Sequence, residues 1–144
     1  MRRVIIYHYG RIKEKNYAEL SGYYASLCSK AFAVEFRSLK DPGVKVPASS
    51  LPKADHAKLI MMNEKGREIT TPAFCSLISE RFESESEVSF VVGNAWGFAP
   101  DAEVLVKAKL ALSQLIFPHE MAIMVLCEQL FRAADKMSGS KDTK

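Results

Sequence analysis

Short apolar runs typical of buried strands alternate along the chain with longer segments in which apolar residues recur at every third or fourth position. The runs with strand character are Arg3–Tyr9, Val34–Leu39, His56–Met62, Val88–Val92 and Ala111–Phe117. Helical patterns cover Glu14–Phe32, the segment from Thr71 to Phe82, Ala102–Lys109 and Glu120–Met137. Strands that alternate with helices favour a mostly parallel sheet with helices on both faces. The chain of 144 residues is therefore predicted to form one α/β domain over residues 1–144.

The connections between these elements carry signals of their own. The segment Asp41–Pro52 contains three prolines and predicts a flexible loop. Asn63–Gly66 predicts a turn that ends the third strand. Thr71 followed by Pro72 predicts a helix start, with Thr71 as the N-cap. Residues 138–144 are small and polar, which predicts a flexible tail.

Charge is divided unevenly between the two halves of the chain. Residues 1–67 contain 13 Lys and Arg against 6 Asp and Glu, whereas residues 68–144 contain 7 against 11. A basic half suits a polyanionic partner such as RNA, because Lys and Arg displace counterions from phosphates. An unevenly charged surface that is simply solvated explains the same numbers equally well.

Cysteine usage and hydropathy constrain the compartment. Cys28, Cys75 and Cys127 are odd in number, far apart in sequence and without C-x-x-C spacing, which argues against disulfides and against a cysteine zinc site. They are expected to be small buried apolar groups. No apolar run approaches the roughly 20 residues that cross a bilayer. We therefore expect a cytoplasmic protein with no membrane partner and no metal.

Glycines follow the fourth predicted strand directly. Val88–Val92 continues into Gly93-Asn94-Ala95-Trp96-Gly97, so glycine stands where the backbone turns sharply or comes close to a ligand. The spacing is neither the G-x-G-x-x-G fingerprint of dinucleotide-binding folds nor a Walker loop. A tight strand-to-helix turn without any ligand is one interpretation, and a doubly wound domain that binds a nucleotide or phosphate at Gly93–Gly97 is another.

A second segment joins the last predicted strand to the last helix. Pro118 ends the apolar run Leu112–Phe117, and His119 then lies at or near the helix N-terminus. His119 is a candidate for proton transfer, although a lone histidine in this place is often a structural hydrogen-bonding group. His8 and His56 lie within predicted strands and are expected to be structural.

Taken together, these segments resemble the ribosomal RNA large-subunit methyltransferase H family, a minimal branch of the SPOUT methyltransferases. The first matching segment is Val4–Lys15, which is similar to the family's first strand and the basic turn after it. The second is the glycine segment Val88–Gly97. The third is Leu112–His119 together with Glu128–Ala133, similar to the family's strand-Pro-His-helix that ends in Glu-Gln-x-Tyr/Phe-Arg-Ala. The resemblance covers nearly the whole chain.

The resemblance implies a C-terminal trefoil knot and a homodimer. It also implies that S-adenosylmethionine is the cofactor and that N3 of a pseudouridine in large-subunit ribosomal RNA, on the assembled ribosome, receives the methyl group. The implied cofactor contacts are Met62, Gly93, Leu112, Ser113, Gln114, Leu115, Ile116 and Phe117. The implied RNA contacts are Arg11, Lys13 and Lys15, and the candidate catalytic groups are His119 and Glu128. We expect the dimer to form through the last helix and the aromatic face of the first.

Some positions depart from the family pattern. Asn94 and Trp96 replace the second glycine and the small or acidic residue of the family's glycine loop. Ile123 stands where the family carries an arginine, and Asp142-Thr143 stand where it ends in a Tyr-His pair near the target base. An alternative function follows from these differences: a knotted paralogue that binds S-adenosylmethionine or RNA but is impaired in catalysis.

Overall fold

Five parallel strands form one sheet in residues 1–139, the part of the chain that the computed structural model describes. The strands are β1 Arg3–Tyr9, β2 Ala33–Leu39, β3 Leu59–Glu68, β4 Glu87–Val92 and β5 Ala108–Ala111. Their order across the sheet is β2-β1-β4-β3-β5, and every pairing is parallel. The α-helices are α1 Lys15–Leu27, α2 Thr71–Ser84, α3 Pro100–Leu105 and α4 His119–Met137. The predicted parallel α/β fold is confirmed.

Both faces of the sheet are covered, because successive side chains of a strand point to opposite sides. In β1, Val4 and Ile6 face the three long helices, together with residues such as Phe74, Leu126 and Leu130. Ile5 and Tyr7 face the other way, where α3 and the segment around Val46–Leu51 cover them. All but the first residue of β1 are buried. Helices therefore lie on both faces, with the longer ones on a single side.

The helix boundaries follow local capping chemistry. The Thr70 side chain accepts a hydrogen bond from the Ala73 amide at 3.2 Å, so Thr70, and not the predicted Thr71, is the N-cap of α2. Thr71 is already helical, and its hydroxyl donates to Gln129 of α4 instead. Glu14 caps α1 by accepting from the Asn16 amide. A short 3-10 turn, Cys28–Lys30, ends the first helical segment before the predicted Phe32.

The predicted turn at Asn63–Gly66 is wrong, because β3 continues through these residues to Glu68. Leu110 of β5 is opposite Met62 and again opposite Arg67, so the four residues between them form a bulge. Three further boundaries also differ. The α3 helix ends at Leu105 and β5 begins at Ala108, inside the predicted helix Ala102–Lys109. Residues 112–117 lie in a loop after β5, and His56 lies in a turn before β3.

The proline-rich segment Asp41–Pro52 is a loop, as predicted, but it is anchored to the rest of the protein. Val46 is fully buried, donates its amide to the Gly97 carbonyl at 2.8 Å and accepts from the Ala99 amide at 2.8 Å. Tyr9 donates its hydroxyl to the Ser50 carbonyl at 2.8 Å. The loop is therefore held against the glycine segment after β4, contrary to the expected flexibility.

The three cysteines are free and buried, as expected. Burial raises the pKa of the Cys28 thiol to about 12 and also raises that of Cys127, so neither forms a thiolate readily.

Within residues 1–139, none of the helices is both long and apolar enough to span a membrane. The same described residues contain no group of three or more His, Cys, Asp or Glu side chains placed to hold a metal ion.

Gly66 in the bulge is predicted to be the glycine least tolerant of a side chain. A Cβ there would lie 2.7 Å from the Lys109 carbonyl carbon and 2.8 Å from the Leu110 amide nitrogen, both of which are backbone atoms. We expect Gly66→Ala to lower the free energy of unfolding by roughly 1–3 kcal/mol in urea titrations, because the β3–β5 pairing must shift. Gly22 in α1 has open space around it, so the control Gly22→Ala should raise stability by about 0.5–1 kcal/mol. Equal stability of the two variants would contradict this interpretation of the bulge.

Candidate functional site

A cavity of about 710 Å³ lies where the pairing of β3 with β4 ends and where β4 and β5 reach their carboxyl ends. Ligands bind at this edge in open α/β sheets because the loops after the strands converge there. The walls are the bulge of β3, the glycine segment after β4, the loop after β5 and the first turn of α4. Its volume falls in the range of small-molecule and cofactor sites, roughly 300–1,000 Å³.

Most of the residues that the sequence singles out for cofactor contact line this one cavity. They are Met62, Gly93, Leu112, Ser113, Leu115, Ile116 and Phe117. Gln114, the remaining one, has an exposed side chain and is not part of the lining. The Ser113 hydroxyl accepts a hydrogen bond from the Leu115 amide at 2.9 Å, which turns the loop and leaves Leu115 and Ile116 largely exposed.

Gly93 is the first residue after β4, and the backbone beside it is crowded. A Cβ on Gly93 would lie 3.1 Å from Cε2 of Phe98, a ring that belongs to the core. Gly97 has a φ of +82°, in the left-handed region that favours glycine. Glycine therefore suits both positions: Gly97 has a left-handed conformation, and a side chain at Gly93 would crowd the Phe98 ring.

Asn94 holds the glycine segment in place. It is 5% exposed, and its amide group donates to Asp41 Oδ1 at 2.9 Å and to the Val44 carbonyl at 2.7 Å. Its oxygen accepts from the Trp96 amide at 3.0 Å. The Gly43 amide and then the Asn94 side chain hold the pKa of Asp41 below its usual value. Asn94, which departs from the family pattern, thus has a structural role. It joins the loop after β2 to the loop after β4.

His119 begins α4 and lines the cavity, as the position after Pro118 predicts. Its neighbour Glu120 turns away and accepts hydrogen bonds from the amides of Lys13 and Glu14 at 3.0 and 2.9 Å. Burial opposes ionisation of this carboxyl, but the two amides and His119 outweigh it and lower its pKa. The basic loop after β1 is therefore fixed to the first turn of α4.

The other candidate residues lie outside the lining. Glu128 accepts from Arg132 and Gln129 on α4, at 2.6 and 2.8 Å, and does not reach the cavity. Ile123 is 1% exposed and packed in the core beneath the sheet. Asp142 and Thr143 lie outside the described residues.

His8 and His56 both have backbone partners. His8 Nδ1 lies 2.7 Å from the Gly10 carbonyl oxygen, and burial lowers the pKa of its ring. His56 Nε2 lies 3.2 Å from the Pro52 carbonyl oxygen.

Several lining residues were not singled out from the sequence. They include Lys45, Asn63, Glu64, Lys65, Phe98, Glu103, Leu110 and Ala122, and Asn94 and Trp96 were singled out only as departures from the family pattern. Asn63 donates to Glu103 Oε2 at 2.8 Å, which links β3 to α3. The sequence did contain a signal for Asn63, Glu64 and Lys65, which are polar and directly follow the apolar part of a strand. Binding sites in open α/β sheets form at the carboxyl ends of parallel strands, so polar residues there are site candidates.

Comparison with known proteins matches this arrangement to one family. The family model described as "Predicted SPOUT methyltransferase" matches residues 1–141. The chain belongs to the SPOUT methyltransferase family. This membership predicts that the chain binds a methyl donor, and the cavity between the glycine segment and α4 is the candidate site for it.

Two curated relatives are similar to this SPOUT protein over almost their whole length. The ribosomal RNA large subunit methyltransferase H of Oleidesulfovibrio alaskensis is 30% identical, with 97% of each chain covered. The protein of the same name from Nitratidesulfovibrio vulgaris is 31% identical with the same coverage. Among solved structures, the tRNA (m1G37) methyltransferase from Aquifex aeolicus has a TM-score of 0.56 at 12% identity, over 99% of this chain and 71% of that one. Family membership and this likeness in fold imply the knotted chain path.

Asn94 provides a prediction with a pH signature. In Asn94→Asp, both donated hydrogen bonds are lost and a second carboxylate faces Asp41. We expect a loss of roughly 1–3 kcal/mol in unfolding free energy at pH 7, from unsatisfied buried groups. The two carboxylates can share a proton in acid, so the deficit relative to the natural protein should shrink as the pH falls towards 4. Asn94→Ala, without the added charge, should show a deficit that lacks this recovery, and parallel pH profiles of the two variants would contradict the argument.

Proposed function

We propose that this protein is an S-adenosylmethionine-dependent methyltransferase of large-subunit ribosomal RNA that acts in the cytoplasm, at N3 of a pseudouridine. The single domain over residues 1–144 carries the whole activity in this proposal. Two curated relatives, each named ribosomal RNA large subunit methyltransferase H, match this chain over 97% of their length. The observation that carries the proposal is the cavity into which Gly93, Leu112–Phe117 and His119 converge.

The residues of the cavity fit this cofactor. Leu112, Phe117 and Met62 offer apolar surface for a purine, and the missing side chain at Gly93 leaves backbone free to approach it closely. Gln114 has an exposed side chain and is not part of the lining, so it is left out of the proposed cofactor contacts. When bound, the cofactor supplies an electrophilic methyl group on a sulfonium. The task of the protein is then to hold that methyl group in line with a ring nitrogen of the substrate.

His119 is the proposed proton-transfer group. The N3–H of a pseudouridine is a weak acid, so a neighbouring base, or a donor to the anionic ring, accelerates its methylation. His119 lines the cavity and is half-buried, whereas Glu128 is engaged by Arg132 on another part of α4. The geometry therefore favours His119 over Glu128.

The basic loop after β1 is the proposed RNA contact. Arg11, Lys13 and Lys15 are exposed, and the Lys13 amide is fixed by Glu120, the residue next to His119. Cations held beside the cavity are suitably placed for the phosphates of an entering RNA strand.

A homodimer is also part of the proposal, although the structure alters the expected surface. Tyr24 of α1 and Phe131 of α4 contact each other within one chain, with ring centroids 6.0 Å apart. Leu20 and Tyr23 on α1 remain exposed and are the proposed dimer contact. Light scattering that shows a monomer at micromolar concentration would count against it.

The experiment is transfer of tritium from S-adenosylmethionine to ribosomes, with naked ribosomal RNA as the control substrate. We expect label in the large subunit and, after digestion, in N3-methylated pseudouridine. Charge reversal at Arg11, Lys13 and Lys15 together should weaken ribosome binding and flatten its salt dependence while cofactor affinity is unchanged. Lys53→Glu, an exposed cation outside the cavity lining, is the matched control. Label in another nucleotide would overturn the proposed target.

The second candidate function is that of a cofactor-binding and RNA-binding paralogue with impaired catalysis. It is favoured by Asp142-Thr143 in place of the family's Tyr-His ending. Saturable cofactor binding without any methyl transfer would select it. Absence of both would favour the third possibility, a nucleotide-binding or phosphate-binding domain.

A further inference from the structure

The only tryptophan of the chain lies uncovered at the cavity. Trp96 is 55% exposed, although its side chain is among those that gain most from burial. It lines the cavity together with Gly93 and His119. Tryptophan is enriched where proteins bind partners, because its ring offers a large apolar face together with a polar N–H.

The backbone that carries Trp96 is fixed on both sides. Its amide is held by the buried Asn94 side chain at 3.0 Å, and the Gly97 amide donates to the Asn94 carbonyl at 3.2 Å. The Gly97 carbonyl in turn accepts from the Val46 amide. The indole is thus presented by a rigid turn, so a ligand that covers the ring orders little additional chain.

The charges in the cavity indicate which class of ligand binds against the Trp96 ring. Lys45 and Lys65 line the same cavity, and the basic loop after β1 is anchored to α4 beside it. Of the two acidic residues in the lining, Glu103 is engaged by Asn63, and Glu64 is exposed. An aromatic ring and lysines that line one cavity suit single-stranded nucleic acid, which proteins bind by base stacking and phosphate contact together.

We propose that Trp96 stacks on a base of the substrate RNA at the mouth of the cavity. The ring would hold the strand so that the neighbouring nucleotide enters the site beside His119. This inference rests on the proposed function and names the residue that recognises the single-stranded RNA segment. Because stacking needs only a π face, the contact adds affinity for unpaired RNA and little sequence preference.

Intrinsic fluorescence tests the proposal directly, since all tryptophan emission of the full chain comes from this residue. The probe is a 12-nucleotide oligouridylate, and an abasic ribose-phosphate oligomer of the same length is the control. We expect saturable quenching by the oligouridylate and little change with the abasic oligomer. Filter binding should show that Trp96→Leu weakens oligouridylate binding by roughly 5- to 150-fold, the range for loss of one stacked base, while Trp96→Phe retains most of the affinity.

The control variant is Val104→Ala, which alters another exposed apolar side chain that is not part of the cavity lining. It should leave oligouridylate affinity unchanged. Calorimetry of the natural protein with S-adenosylhomocysteine separates this inference from the proposed function. If the protein does not bind this ligand, the proposed function is contradicted, whereas quenching by the oligouridylate would still support the inference about Trp96. Three results would overturn the proposal: quenching by S-adenosylhomocysteine but not by RNA, equal quenching by the abasic oligomer, and emission that shifts with protein concentration alone. The first would assign the ring to the cofactor, the second would remove base stacking, and the third would place a second copy over the ring.

Discussion

Valine in place of Gly93 is expected to abolish the binding of S-adenosylhomocysteine, with no saturable heat in calorimetry up to millimolar ligand. Gly93 stands at the carboxyl end of β4 and lines the proposed cofactor cavity. Any side chain there already meets Phe98 at 3.1 Å, so the added methyl groups of valine must project into the cavity or displace that ring. Close backbone approach to the ligand is then lost, whichever direction the side chain takes.

The control for Gly93→Val is designed around Phe98. In Gly93→Ala, we expect weaker binding together with a modest loss of stability from the contact with the ring. Adding Phe98→Leu should relieve that contact and recover the melting temperature, measured by circular dichroism, without restoring the cofactor affinity. Gly22→Ala, in open space on α1, should bind like the natural protein. Full affinity in Gly93→Val would place the cofactor elsewhere.

The parts of the fold that were predicted correctly are those in which local pattern and tertiary burial agree. Val88–Val92 is apolar at every position except Ser89, and the structure buries this strand between two layers. Two prolines mark helix starts to within one residue: Pro72 is the second residue of α2, and Pro118 directly precedes α4. The resemblance to the methyltransferase H family supplied the candidate cofactor contacts, and the structure brings most of them together because the loops after β4 and β5 reach the same edge of the sheet, on either side of β3.

The errors occur where a distant partner overrides the local signal. Asn63–Gly66 has turn composition, yet pairing with β5 and the absence of a side chain at Gly66 keep it extended. The prolines of Asp41–Pro52 do not show that Val46 is hydrogen-bonded to both Gly97 and Ala99. The role of Asn94 was missed for the same reason, since its partners are some 50 residues away in sequence.

The ending of the chain carries the last prediction, which concerns the rate of methyl transfer. The resemblance to the methyltransferase H family implies that a Tyr-His pair lies near the target base, and this chain has Asp142-Thr143 instead. Loss of one well-placed donor typically lowers a catalytic rate by about 10²- to 10³-fold, and a carboxylate also repels an anionic base. We therefore expect normal affinity for S-adenosylhomocysteine but methylation of ribosomes that is about 10²- to 10³-fold slower than in a family member with the Tyr-His ending.

Two double variants separate the missing donors from the added charge. Asp142→Ala with Thr143→Ala removes the charge without supplying the family's donors and should raise the single-turnover rate slightly, whereas Asp142→Tyr with Thr143→His supplies donors as well and should raise it much further. Ile123 needs no change in this test, because its side chain is packed in the core and does not line the cavity. A natural rate equal to that of a family member with the Tyr-His ending would show that this ending is dispensable here. A group that lines the cavity must then accept the N3 proton, and His119 is the candidate. In that case, His119→Ala should abolish methyl transfer.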